Sequence, residues 1–379
     1  MRYEANDAGI PNANRINVLH VGPGYGQRGG IASVLGELAA RRASFERADI
    51  GTTIFETHGF QNTGSSLRFF SSDMPKFIFA ARGADVVHFH VSERGSFYRK
   101  FALYMIAKAM RRRVVFHLHS GNFDRFVARA DGVTRAAIRQ FIGGADAVIG
   151  ASSASARLLN QFRRNADDTS VVANFATDAE HDAMHGGSHD RPQACVQPYI
   201  AFAGRLSTQK GVDVLIEALG LLTRQGFDIA LRLAGEGDTE RWRGVANAHD
   251  VIDRVHFEGW LERDDKLSFY RNAFVFCLPS QFEAFGIAAL EAMFCGVPVV
   301  ATRVGGLEDL VSEGVTGYLV PPNDAEALAG RVRQLLENPA LATRMKAAAL
   351  SRAKQNYVAE AISERYVHCY RDITNGVAV

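Results

Sequence analysis

Two glutamates, Glu283 and Glu291, stand where a carboxylate needs a chemical reason to be. They lie in Pro279-Ser-Gln-Phe-Glu-Ala-Phe-Gly-Ile-Ala-Ala-Leu-Glu-Ala-Met-Phe-Cys-Gly-Val-Pro298, which opens on turn formers and runs on from Gly286 as a helix ended by Gly296 and Pro298. Glu291 falls among Ile287, Ala288, Ala289, Leu290, Ala292 and Met293. An ionised carboxylate there is costly unless something donates hydrogen bonds to it, either an arginine elsewhere in the chain or a polar ligand. A second cluster supplies the opposite charge. Arg205-Leu-Ser-Thr-Gln-Lys-Gly211 brings Arg205 and Lys210 to the mouth of a helix, which is a diphosphate site by simple electrostatics. Taken alone, an Arg/Lys pair reads more often as a solvated basic loop than as a ligand site.

The elements that must position these groups are strand–turn–helix units. Phe274–Leu278 and Tyr199–Ala203 are short apolar runs of the kind that form buried parallel strands. Gly204 follows the second directly, and the amphipathic helix Val212–Leu222 follows Gly211. Each unit aims a helix N-terminus, with its free N–H groups and positive dipole end, at the crevice beyond its strand's carboxyl end. Leu231–Asp238, Val255–Trp260, Val299–Gly306 and Gly317–Asp324 repeat the pattern of a strand and a glycine-containing turn or loop.

Over roughly residues 197–340 this order of motifs resembles the retaining glycosyltransferases of family 4, and the N-terminal half is similar more loosely. The resemblance implies an α/β, GT-B fold, two Rossmann-like parallel-sheet domains facing across a cleft. It also implies that Glu291 holds the ribose of a UDP- or GDP-sugar and Glu283 the hydroxyls of the sugar. Phe285, Gly286 and Ile287 would add contacts near the helix start, and Arg205 and Lys210 would neutralise the pyrophosphate. A carboxylate suits this task, because it can accept from two vicinal hydroxyls at once. Retention at C1 is implied as well. With no carboxylate placed behind C1, same-face attack assisted by the leaving phosphate is preferred to Glu283 as a covalent nucleophile.

In the N-terminal half, the strand-like Ile16–Val21 feeds a glycine loop through Gly30 and then the helix Ile31–Arg41. Gly24-Tyr-Gly-Gln-Arg-Gly29 is literally G-x-G-x-x-G, so an NAD(P)- or FAD-dependent oxidoreductase competes as a reading, with Glu56 somewhat late for its ribose acid. Under the family resemblance, Gly29 and Gly30 instead approach the donor. Two further runs, Asp85-Val-Val-His-Phe-His-Val91 and Val114-Val-Phe-His-Leu-His-Ser-Gly-Asn122, each place two histidines on one face of a strand. Paired histidines suggest a metal, but no cysteine or carboxylate is spaced to complete a set. His119 resembles the family's histidine at the reacting centre, and His90 is expected in the same cleft. No two aspartates stand two apart, as the metal-binding Asp-x-Asp element of other glycosyltransferases requires. No metal and no cofactor are expected, the nucleotide-sugar being a substrate.

At 379 residues the chain exceeds one ordinary core. A loose tail over 1–14, an acceptor domain over 15–185 and a donor domain over 186–356 are expected, with the helix 357–375 returning to the first domain by analogy with the fold. The break falls in the polar segment 176–198, where His181, His185 and His189 share a helical period that Gly186 and Gly187 disfavour. Four cysteines without C-x-x-C spacing read as reduced core residues. The absence of a signal peptide or an 18-residue apolar run points to the cytoplasm. Net charge is only +2, so the basicity of residues 96–113 is local. Its aromatic and basic residues suit an anionic membrane face or an ordinary domain helix. On the first reading the acceptor is a polyprenyl- or lipid-linked saccharide, and Arg99 and Lys100 meet its phosphate. A nucleic-acid partner is not expected. A GT-B-like protein that binds nucleotide-sugar without transferring it remains the third reading.

Overall fold

The computed structural model describes residues 15–24, 29–58, 68–164, 169–176 and 197–376. The tail 1–14, residues 25–28 of the glycine loop, and the segment 177–196 with Cys195 and the three spaced histidines lie outside the described residues. Two six-stranded parallel sheets form the scaffold. The first holds β1 (Ile16–Gly22), β2 (Ile50–Glu56), β3 (Val86–Val91), β4 (Arg113–Leu118), β5 (Ala147–Gly150) and β6 (Thr169–Val171), in the order β2-β1-β3-β4-β5-β6. The second holds β7 (Tyr199–Ala203), β8 (Ala230–Ala234), β9 (Val255–Gly259), β10 (Val275–Leu278), β11 (Val299–Thr302) and β12 (Gly317–Val320), in the order β12-β11-β10-β7-β8-β9.

The central strands are buried along their length, as expected when helices cover both faces of a parallel sheet. Strand order reverses between β1 and β3 in the first sheet and between β7 and β10 in the second. Such switch points open a crevice at the carboxyl ends of the strands.

Contacts between the halves are close. Gly121, just after β4, lies so near the backbone of Glu283 and Ala284 that a Cβ there would stand 2.6 Å from the Glu283 carbonyl carbon. The Arg125 guanidinium lies over the Phe282 ring at 5.5 Å. Asp309 accepts from the Ser153 backbone N–H at 2.6 Å, at the start of the helix Ser153–Asn160. The helix Ala359–Asn375 reaches the first sheet: Tyr370 Oη and His88 Nδ1 are 2.8 Å apart, and Arg371 donates to the Ala48 carbonyl.

The basic segment divides between the helix Gly95–Ala109 and the start of β4. Phe97, Leu103, Tyr104 and Ala107 pack into the first domain's core. Lys108 and Arg113 pair with Asp146, and Arg112 donates to the Arg82 carbonyl. Lys100 is 2% exposed and donates to Ser96 Oγ at 2.7 Å.

Replacing Gly121 with valine forces side-chain atoms into the Glu283 backbone. The expected result is a loss of about 1–3 kcal/mol in urea unfolding and a wider separation of the halves by small-angle scattering.

Candidate functional site

A cavity of about 440 Å³ lies between the two sheets' carboxyl ends, within the range of small-molecule sites. Gly29, Gly30 and His119 border it from the first domain, and Arg205, Lys210, Glu283, Phe285, Gly286, Ile287 and Glu291 from the second. The sequence scatters these residues over more than two hundred positions, and the paired switch points bring them to one space.

Lys210 sits in the turn after β7, and its Nζ donates to Glu283 Oε2 at 2.6 Å in the turn after the neighbouring strand β10. Gly286 has φ 104° and precedes the helix Ile287–Phe294. A Cβ there would be strained and would meet Leu307 at 2.7 Å, so this turn requires glycine. On that helix Glu291 accepts from Lys266 Nζ at 2.7 Å and from Tyr270 Oη at 2.8 Å. Burial and the Glu291 charge push the Tyr270 phenol well above its usual pKa, so it stays a proton donor. The partner of the helix-borne glutamate is therefore a lysine–tyrosine pair, not an arginine. Lys266 and Tyr270 were missed from the sequence. The available signal was their spacing of four on one face of the helix Arg263–Arg271. Arg205 is exposed at the cavity edge.

Three expectations are corrected. His90 is fully buried and does not border the cavity; its Nδ1 lies 2.9 Å from Nε2 of His119, the histidine that does. Arg99 and Lys100 lie on the buried side of their helix and do not border the cavity either. Burial, with Arg99 adding to it, pulls the Lys100 amine down to about 7.

Five histidines, His20, His88, His90, His117 and His119, form one cluster under the first sheet's switch point. Parallel pairing sets His20 beside His88 and His90 beside His117, so the rings share a face. Burial lowers all five pKa values, those of His20 and His119 to about 3. Their ring nitrogens include two triads (His20, His88, His90 and His90, His117, His119) lying within 4.8 Å of one another. Sequence spacing did not reveal a set this tight, because its members come from three strands.

Glu56 ends β2, and its carboxylate lies against Gly24, where a dinucleotide site would place its ribose acid. The oxidoreductase reading is therefore not removed by geometry, but by similarity to known proteins. Residues 193–352 match the family described as glycosyl transferases group 1, and residues 17–174 match the glycosyl transferase 4-like domain. Glycogen synthase from Mycobacterium tuberculosis is 36% identical over 177 residues, 45% of this chain and 43% of that one. The matched stretch thus spans less than half the length of that relative. Alpha-D-kanosaminyltransferase from Streptomyces kanamyceticus is 29% identical over 305 residues, covering 76% of this chain and 77% of the relative. Among solved structures, Anabaena Alr3699/HepE in complex with UDP and glucose superposes with a TM-score of 0.72 at 22% identity, covering 94% of this chain and 99% of that one.

The histidine cluster generates a pH prediction. These rings stay neutral when folded but protonate near 6.5 when unfolded, so below that pH the unfolded chain binds more protons. Each ring then removes about 1.4 kcal/mol of stability per pH unit. Urea unfolding should show stability dropping steeply from pH 6.5 to pH 5, and a flat profile there would contradict a neutral histidine core.

Proposed function

We propose that this chain, which belongs to the group 1 and 4-like glycosyl transferases and has their two-domain GT-B fold, moves a sugar from a nucleotide-diphosphate donor to a saccharide acceptor. The observation that carries this reading is the convergence of Glu283, Glu291, Arg205, Lys210 and the Gly29–Gly30 turn on one cavity. Glu291 accepts from the ribose diol, oriented by Lys266 and Tyr270. Glu283 accepts from sugar hydroxyls, and the turn at Phe285, Gly286 and Ile287 offers backbone N–H groups at a helix N-terminus. Arg205 and Lys210 stabilise the charge that grows on the diphosphate as the C1–oxygen bond breaks. These cations and helix ends take the place of a metal, so the donor site works without one. His119 lies on the acceptor side, facing the sugar.

The configuration at C1 is retained, with the departing phosphate assisting attack from its own face. Closure of the halves keeps water from the donor. The relatives' names, glycogen synthase and alpha-D-kanosaminyltransferase, accord with sugar transfer. A UDP- or GDP-sugar is the proposed donor, and the acceptor is a saccharide, free or lipid-linked, of cell-surface polysaccharide or glycolipid assembly. No described helix is long and apolar enough to cross a membrane. Contact with an anionic bilayer would use the outward side of the segment 96–113, where Tyr98 and Met105 are exposed.

In a thermal-shift panel of UDP, GDP, ADP and NAD⁺ with EDTA present, UDP or GDP alone should raise the melting temperature. A shift with NAD⁺ alone would sink the reading. Lys210→Ala and Glu283→Gln should each lower kcat by about 10²–10³ with folding intact. Unchanged nucleotide binding without transfer in the wild type would favour a binding protein. Glu291→Gln should weaken nucleotide binding about tenfold, from the loss of one charge-assisted hydrogen bond.

A further inference from the structure

The two walls of the cavity belong to different domains, so some contact must fix how far His119 stands from Glu283. Asp309 is placed to do this. It sits in the short helix Leu307–Leu310, which follows β11 and the Gly305–Gly306 turn. That turn lies directly against the second domain's wall. The Gly306 N–H donates to the Glu283 carbonyl at 3.2 Å, and a Cβ at Gly305 would run into the same oxygen. Leu307 fills the space beside Gly286. A shift of this short helix therefore moves the turn that carries Glu283, Phe285 and Gly286.

The backbone of Asp309 is tied into its own domain. Its carbonyl accepts from Arg352 Nη2 at 2.7 Å and from Tyr357 Oη at 2.9 Å. The Tyr357 ring also packs edge-on against Phe285, just before the chain crosses back to the first domain. The carboxylate reaches the other way. Its Oδ2 accepts from the Ser153 N–H at 2.6 Å, and Ser153 is the first residue of the helix Ser153–Asn160. Local sequence supplies only part of that helix's cap. Ser152 Oγ accepts from the Ser155 N–H at 3.3 Å, which leaves to Asp309 the Ser153 N–H, a donor that a helix start cannot satisfy internally. A carboxylate also suits the positive end of the helix dipole. The first domain thus takes one of its helix caps from the second.

This cap stands close to the reacting side of the first sheet. Leu118 at the end of β4 pairs with Gly150 at the end of β5. His119 and the helix that begins at Ser153 therefore leave adjacent strands at one level.

We propose that Asp309 is a positioning residue for sugar transfer: by capping the helix Ser153–Asn160 it sets the spacing between His119 and Glu283 across the bound sugar. The inference rests on the reading of the cavity as a nucleotide-sugar site. Ribose and diphosphate are held by Glu291, Lys266, Arg205 and Lys210, all on the second domain, so the nucleotide does not sense this spacing. The sugar does, because it lies between Glu283 and the first-domain wall of Gly29, Gly30 and His119.

The test uses the full chain with Asp309→Ala, Asp309→Asn and Ser153→Pro. The first removes the carboxylate, the second keeps a neutral acceptor, and the third deletes the N–H. Proline is tolerated at a first helical position, and Ser152 already has the extended backbone needed before it, with φ −154° and ψ 165°. Calorimetry with UDP, GDP, UDP-glucose, UDP-N-acetylglucosamine and GDP-mannose identifies the tightest nucleotide-sugar, which is then compared with its own nucleotide. Asp309→Ala and Ser153→Pro should each weaken the nucleotide-sugar about tenfold, with the nucleotide within about twofold. The double variant should be no weaker than either single one, since both remove the same contact. Asp309→Asn should lose only about threefold, a neutral hydrogen bond being about half as strong as a charge-assisted one. If either of the other variants fails to fold, this near-isosteric one still reports the selective loss.

Equal weakening of nucleotide and nucleotide-sugar, additive losses in the double variant, or wild-type binding by Asp309→Ala would each overturn the proposal. Failure of the functional reading looks different: the wild type then binds none of these ligands. Small-angle scattering still tests the spacing in that case. Unliganded Asp309→Ala and Ser153→Pro should both be more extended than the wild type, and an unchanged radius of gyration would count against Asp309.

Discussion

Two carboxylates in an apolar helix and its turn must each find a cation, and the second domain is arranged around that requirement. Glu283 meets Lys210 across adjacent strands β10 and β7, while Glu291 meets Lys266 and Tyr270 across adjacent helices. The four elements concerned are therefore locked at one end of the sheet. Each ion pair is largely but not wholly buried, with Glu283 and Glu291 side chains 15% and 14% exposed on the cavity side. Pairs of this kind are weak sources of stability, since desolvation offsets much of the attraction. Their consequence is geometric. They hold acceptor oxygens and cations side by side in a space where a ligand with hydroxyls and phosphates can exchange with them.

The first domain meets a different constraint. Five histidines in the interior bring desolvation without any counter-charge, so they survive as neutral rings bonded to one another and to Tyr370. The C-terminal helix Ala359–Asn375 closes this face, with Tyr366 and Tyr370 against the rings. A chain that leaves the second domain thus becomes part of the wall behind the first domain's contribution to the cleft. Gly121 at Glu283 and Asp309 at Ser153 complete the link between the halves. The cavity is a property of their joint placement.

Parts of this arrangement were legible as local pattern. The runs Phe274–Leu278 and Tyr199–Ala203 read as strands because parallel strands buried on both faces must be continuously apolar. The structure has them as Val275–Leu278 and Tyr199–Ala203. Asp324, at the end of the run Gly317–Asp324, caps the helix Ala325–Glu337, its carboxylate accepting from the Ala327 N–H. The short strands Ala147–Gly150 and Thr169–Val171 gave no comparable signal, since four and three residues are too few to show a period. Basic helices mislead for another reason. Lys108 and Arg113 are solvated or partnered according to where Asp146 lies, and nothing near them in sequence shows that.

What the sequence by itself determined is the alternation of strand, glycine turn and helix, and with it the side chains standing at the strands' carboxyl ends. These follow from short-range physics, namely burial period, backbone freedom at Gly286 and the free N–H groups of a helix start. The tertiary structure alone decided which charges meet. Lys266 was chosen for Glu291, Arg99 and Lys100 were turned into the core, and His90 was set behind His119. Those outcomes depend on strand order and helix packing, and distances between side chains far apart in the chain exist only once both sheets are in place.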